Sequence, residues 1–138
     1  MSGGRNKRES QNQRTGSSPI ARAVTLHIEG KGRDALREID RALESGEPPK
    51  LVFAARGQIQ FELELYPDAA RSYEALVEIE PDSPTALFNL AVCQEKLALW
   101  TQAASNFERV LAIDPDRHDA RLGLGICLLN AEQGERAL

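Results

Sequence analysis

The chain has 138 residues and a formal net charge of −4, a length that fits one domain. Aromatic residues make up 5% of it, so its core must come from Leu, Ile, Val and Ala, which suits closely packed helices. No apolar run reaches the roughly 18 residues of a membrane-spanning helix, and the N-terminus lacks the apolar stretch of a secretory signal; a cytoplasmic protein, or a soluble portion of something larger, is expected.

The charge is uneven along the chain. Residues 1–18 carry Arg5, Lys7, Arg8 and Arg14 against Glu9, whereas residues 19–138 carry 13 basic and 20 acidic side chains. The basic head is nearly free of apolar residues, cannot offset the entropy of ordering, and is expected to be disordered. A first helix starts at Pro19, where the missing N–H costs nothing, and runs to about Glu29 before Gly30-Lys31-Gly32 breaks it. A second, about Arg33–Glu44, places Leu36, Ile39 and Leu43 on one face. Ser45 to Pro49 forms a loop, followed by helices over about Lys50–Leu63 and Pro67–Ile79. After Pro81 to Pro84, with Ser83 placed as a cap, come helices to about Leu97 and over about Thr101–Ile113. The seventh, about His118–Ala131, is apolar on nearly every face from Ala120 to Leu129 apart from Arg121. A terminal helix of a stack needs a polar outer side. Further repeats or a partner, or alternatively a second copy of the chain, are therefore expected to cover it. Glu135 to Leu138 reads as the opening of an eighth helix, as in a fragment of a longer protein.

The segment Tyr73–Pro81 recurs as Phe107–Pro115, 34 positions later. The same offset relates Phe53 to Leu87, Gly57 to Ala91, Leu65 to Leu99 and Ala69 to Ala103. It continues upstream through Ala23, Ala35 and Ile39, and downstream through Leu124, Gly125 and Ala137. Self-similarity at such a period marks a repeat architecture. The small residues fall where two helices approach closely, and the large apolar ones where one pair stacks on the next.

This pattern resembles the tetratricopeptide repeat, a helix–turn–helix unit. The unit from Pro84 supplies Leu87, Leu90, Ala91, Ala103, Phe107 and Pro115 at the family's characteristic positions. The unit from Lys50 supplies Phe53, Gly57, Ala69, Tyr73 and Pro81, with Arg56 departing from the pattern. A degenerate unit starts near Gly16 and an incomplete one near His118. The resemblance implies an all-α, right-handed α-solenoid of antiparallel helix pairs, with seven helices in about three and a half repeats. The units fall near 16–49, 50–83, 84–117 and 118–138, so that residues 19–138 form the repeat domain.

Nothing in the residues points to catalysis. Cys93 and Cys127 share one register of neighbouring repeats, where packed helices lie roughly 8–10 Å apart; a disulfide needs Cα atoms within about 7 Å. They are expected as separate, reduced core residues. His27 and His118 lie in different repeats with no cysteine nearby, which gives neither a nucleophile pair nor a metal site. Carboxylates such as Asp82 and Asp116 recur with the repeat and read as loops and solvated faces. Gly123-Leu124-Gly125 lacks the strand, the other glycines and the Lys of a phosphate loop; the register assigns Gly125 to helix packing. No cofactor is expected, no enzyme activity within these residues, no nucleic-acid partner for so acidic a body, and no membrane partner without a long apolar run. An alternative is the repeat module of a larger enzyme, a transferase or peptidase, whose catalytic domain follows Leu138.

The resemblance further implies a concave groove lined by the first helix of each pair. Carried over residue by residue, its lining is Ile20, Val24, Ala54, Gln58, Phe61, Phe88, Val92, Glu95, Lys96, Leu122 and Ile126. Phe61, Phe88, Val92 and Ile126 would be anchors; Gln58, Glu95 and Lys96 would give polar specificity. The Lys, Asn and Arg pattern of members that clamp acidic chaperone tails is absent, and only Asn89 matches an asparagine ladder. The expected function is a scaffold or adaptor that binds an apolar or amphipathic peptide or helix.

Overall fold

The computed structural model of the chain describes residues 18–137; the expected disordered head, Ser18 apart, lies outside them. Local chemistry starts and stops each helix. The Ser18 hydroxyl accepts the Ala21 N–H at 3.1 Å and Pro19 occupies the first turn of α1, Pro19–Ile28. Gly30 adopts φ +82° and the Lys31 N–H donates to the Leu26 carbonyl at 2.8 Å, which turns the chain into α2, Gly32–Glu44. This closure satisfies carbonyls that a helix end leaves open.

The closure recurs in each later hairpin. Glu64 at φ 62°, with the Leu65 N–H on the Gln60 carbonyl at 2.8 Å, joins α3 (Pro49–Glu62) to α4 (Tyr66–Ile79). Ala98 at φ 58°, with the Leu99 N–H on the Gln94 carbonyl at 2.9 Å, joins α5 (Pro84–Lys96) to α6 (Trp100–Ile113). Ser83 caps α5 by accepting the Ala86 N–H at 3.2 Å. The last helix, α7, spans His118–Ala137. Among the described residues there are seven helices and no strand, and the chain is an all-α helical-repeat solenoid.

Consecutive helices pack on one another, and α1 also reaches α3 as α5 reaches α7. The core is a row of apolar clusters along the stack. The first, around Ile39, Val52 and Ile59, is aliphatic; the second gathers Tyr73, Leu76 and Leu90; the third gathers Leu87, Phe107 and Val110. Leu90 and Phe107, placed inside by their register, are 5% and 1% exposed. Polar pairs repeat as well. The Ser72 hydroxyl donates to the Gln60 carbonyl oxygen at 2.6 Å, and the Asn106 amide donates to that of Gln94 at 2.7 Å, so Ser72 and Asn106 are buried with a partner. Both cysteines are buried free thiols.

Three local expectations change. On α2 the buried face is Ala35, Glu38, Ile39 and Ala42, while Leu43 is exposed. Glu38 can lie inside because Arg22 and Arg41 bind its carboxylate at 3.0 and 2.6 Å. The seventh helix does not stop near Ala131 for an eighth to open at Glu135; it continues to Ala137. Gly125 is not the packing glycine of that helix. A Cβ there would meet nothing within 4 Å, whereas one on Gly123 would come within 2.5 Å of the Phe107 ring. The reason is that α7 turns its Gly123 side to α6, leaving the Gly125 side open.

Candidate functional site

Helix α3 carries Ala54, Gln58 and Phe61 at helical spacing on one face, and α5 carries Thr85, Phe88, Asn89 and Val92 likewise. These two faces look across a cavity of about 480 Å³, with Tyr73 and Leu76 of α4 also lining it and Glu62 at one end. Five residues selected by register, Ala54, Gln58, Phe61, Phe88 and Val92, meet there.

The aromatic walls are held from behind. Phe61 stands edge-on to Tyr66 with ring centroids 5.3 Å apart, and Phe88 edge-on to Phe107 at 5.7 Å, an arrangement that ring quadrupoles favour. The Arg117 guanidinium lies over the Phe88 ring, 4.5 Å from its centroid. It is fixed there by two hydrogen bonds to Asp119, at 3.0 and 3.1 Å. Those bonds hold the Asp119 carboxyl below its usual range and raise Arg117 above its own. Glu62 pairs with His27 Nε2, which ties α1 to the rim of the cavity. The side-chain amides of Gln58 and Asn89 make no hydrogen bond among the described residues, so both are available to a ligand backbone.

The other residues selected by register lie elsewhere. Ile20 packs into the first core cluster and Val24 is exposed on α1. Glu95 is half-buried close enough to Cys127 to help raise its thiol, and Lys96 is exposed. Leu122 and Ile126 are exposed on α7. Thr85, Asn89, Glu62, Tyr73 and Leu76 line the cavity without having been selected. Thr85 and Asn89 flank Phe88 on its own face, a signal the sequence did carry. Tyr73 and Leu76 read as core because their register says only that they are covered.

Among the described residues no three His, Cys, Asp or Glu side chains gather as a metal site requires, and no helix is long and apolar enough to cross a membrane.

Comparison with known proteins bears on family and fold. Tetratricopeptide repeat models match residues 54–97 and residues 99–138, together more than half of the chain. No curated protein sequence matches it. Among solved structures, it is similar to the C-terminal TPR-containing domain of a Plasmodium falciparum FK506-binding protein, with a TM-score of 0.73 and 13% identity over 89% of this chain and 92% of that one. It is similar to the second TPR domain of human RPAP3, in complex with an HSP70 peptide, with a TM-score of 0.71 and 20% identity over 81% and 93%. It is similar to PcrH of Pseudomonas aeruginosa, in complex with the chaperone-binding region of PopB, with a TM-score of 0.64 and 20% identity over 84% and 94%. With repeat models covering most of α3 to α7 and a matching solenoid, the chain belongs to the tetratricopeptide repeat family.

Proposed function

We propose that this chain is a protein-interaction scaffold that holds an apolar or amphipathic peptide or helix in the cavity between α3 and α5. The observation that carries this reading is the convergence of Ala54, Gln58, Phe61, Phe88 and Val92 on one space of about 480 Å³. Such a volume is in the range of small-ligand pockets, roughly 300–1,000 Å³, and accommodates anchor side chains rather than a whole helix. Phe61, Phe88 and Val92 take the anchors; Gln58 and Asn89 meet the ligand's polar groups at the rim. By register, Val24 on one side and Leu122 and Ile126 on the other extend the apolar strip, with Glu95 and Lys96 as its polar edge. That RPAP3 and PcrH were solved with a peptide and a partner region supports a protein ligand for a solenoid of this kind.

The test is binding of a panel of fluorescent amphipathic helical peptides, read by anisotropy. Val92→Asp and Phe88→Asp should each weaken the best binder about tenfold or more, because a desolvated carboxylate replaces an anchor contact. Unchanged affinity in variants that keep their circular dichroism melt rejects the groove.

A further inference from the structure

Among the described residues that line the α3–α5 cavity, Glu62 alone carries a charge. The charges nearby are cancelled by fixed partners. Lys50 pairs with Glu80 at 3.7 Å in the adjoining hollow, which shares Ala54, Leu76 and Thr85 with the cavity. Arg117, over the Phe88 ring, is held by Asp119. Glu62 is different, because its partner is the Nε2 of His27 on α1. His27 Nδ1 is buried and has no hydrogen-bond partner. A proton there would be an unsatisfied buried donor. The pair is therefore assigned as a neutral imidazole that donates one Nε2–H bond and leaves the carboxylate charged. The Glu62 side chain keeps 46% of its surface exposed, so a second partner can reach it. Its charge is felt at the cavity floor, where burial first, then Cys93 and Glu62, raise the Tyr73 hydroxyl.

We infer that the ligand of this cavity carries a lysine or arginine within one helical turn of its apolar anchors, and that Glu62 receives it; the inference rests on the groove reading above. Glu62 follows Phe61 directly and lies four residues beyond Gln58, about 6 Å along the helix axis. A ligand helix lying along α3 with an anchor between Gln58 and Val92 brings the residue one turn away to Glu62. An apolar side chain pressed there would strip water from the carboxylate without replacing it, and an acidic one would add repulsion. A cation restores the lost pairing, and its aliphatic stem covers apolar surface beside Phe61. The body, with 13 basic and 20 acidic side chains over residues 19–138, draws the same kind of partner at longer range. The chain's own basic head does not qualify. Met1 is the only apolar side chain in residues 1–17, so the head has no anchors for Phe61, Phe88 and Val92.

The probe is a set of fluorescent helical peptides with one Leu/Phe face. They differ in a single residue one turn from the anchors, Lys, Gln or Glu, set on the N-terminal or the C-terminal side. Titrated into the full chain at low ionic strength, the better Lys peptide should bind about fivefold tighter than its Gln counterpart, the scale of a partly exposed ion pair. The Glu peptide should bind more weakly than both. Glu62→Gln still offers His27 an amide oxygen and should erase the preference; Glu62→Lys should reverse it towards Glu. Circular dichroism melts establish that each variant is folded. If Phe88→Asp weakens all the peptides yet their affinities do not differ, the groove stands and this inference falls. If Phe88→Asp weakens none, both fall. A lysine preference that survives Glu62→Gln also overturns it. So does a Lys-peptide affinity that rises about fivefold when Arg5, Lys7, Arg8 and Arg14 are all replaced by Gln, which would make the head the native cation. Self-association of the chain that Glu62→Lys abolishes overturns it in favour of a second copy.

Discussion

Gly57, Gly123 and Gly125 show how one residue type takes different roles from its surroundings. Alanine is favoured over glycine inside a helix by about 1 kcal/mol. Against that stands overpacking, which costs about 1–3 kcal/mol in a filled core. A Cβ on Gly57 or Gly123 would lie 2.8 or 2.5 Å from the ring of Tyr73 or Phe107, rings that are themselves buried. Gly57→Ala and Gly123→Ala should therefore destabilise, while Gly125→Ala should stabilise by up to about 1 kcal/mol. Urea unfolding of the three variants decides the matter; equal effects would refute the packing assigned to them. The buried acids make a second prediction at this scale. Burial pushes the Cys93 thiol up to about 12 and, with help from Glu95, Cys127 to about 11, from an ordinary 9.0. Burial also raises Tyr73. A raised acid is stabilised in its neutral form by the fold, so its contribution is complete below its unfolded pKa and is lost as pH climbs through the folded one. The melting temperature should fall from about pH 9 towards 12, and Cys93→Ala should flatten that fall. A decline equally steep in the variant would show that other groups are responsible.

Among the elements, the hairpins share one turn but not one residue. Gly30, Glu64 and Ala98 occupy equivalent positions at φ 82°, 62° and 58°. Glycine tolerates this conformation freely, whereas a residue with a Cβ gives up about 1–2 kcal/mol. Glu64→Gly and Ala98→Gly should each raise stability by up to about 1 kcal/mol, the gain being reduced by glycine's freedom in the unfolded chain. Thermal melts showing a loss in both would mean that the side chains contribute something the turn does not reveal. The face of α2 gives a related lesson. Hydropathy favours Leu43 over Glu38, yet Glu38 is inside, because two arginines from α1 and α2 neutralise it. One of those partners lies on another helix and is invisible to a helical wheel.

In the whole molecule, stability follows the row of clusters, as expected where each repeat adds its own term and its interfaces. The first cluster rests on Ile39, Val52 and Ile59 with the buried alanines Ala23, Ala35 and Ala42, and the residues packed against it, Ile20, Leu26, Leu36 and Ala55, include no ring. The third is filled by Phe107 with Phe88 and Trp100 packed against it. Aromatic side chains bury more surface per residue, so α1 and α2 should open first. Native-state hydrogen exchange should be faster there than in α5 and α6; the opposite order would contradict the ranking.

The helices, their pairing and the recurrence of equivalent positions were legible in the amino-acid chain, because turn residues, caps and apolar spacing act over a few positions and repeat at 34. Half the lining of the candidate cavity was legible for the same reason, as one face of α3 and one of α5. What only the tertiary structure decided was which surfaces meet: that Tyr73 and Leu76 line the space between those faces, that Phe107 packs on Gly123, and that Gly125 stays open. A period assigns the same kind of residue to each equivalent position. Contact depends on the neighbour each helix finds in space, and that is set by side chains distant in sequence.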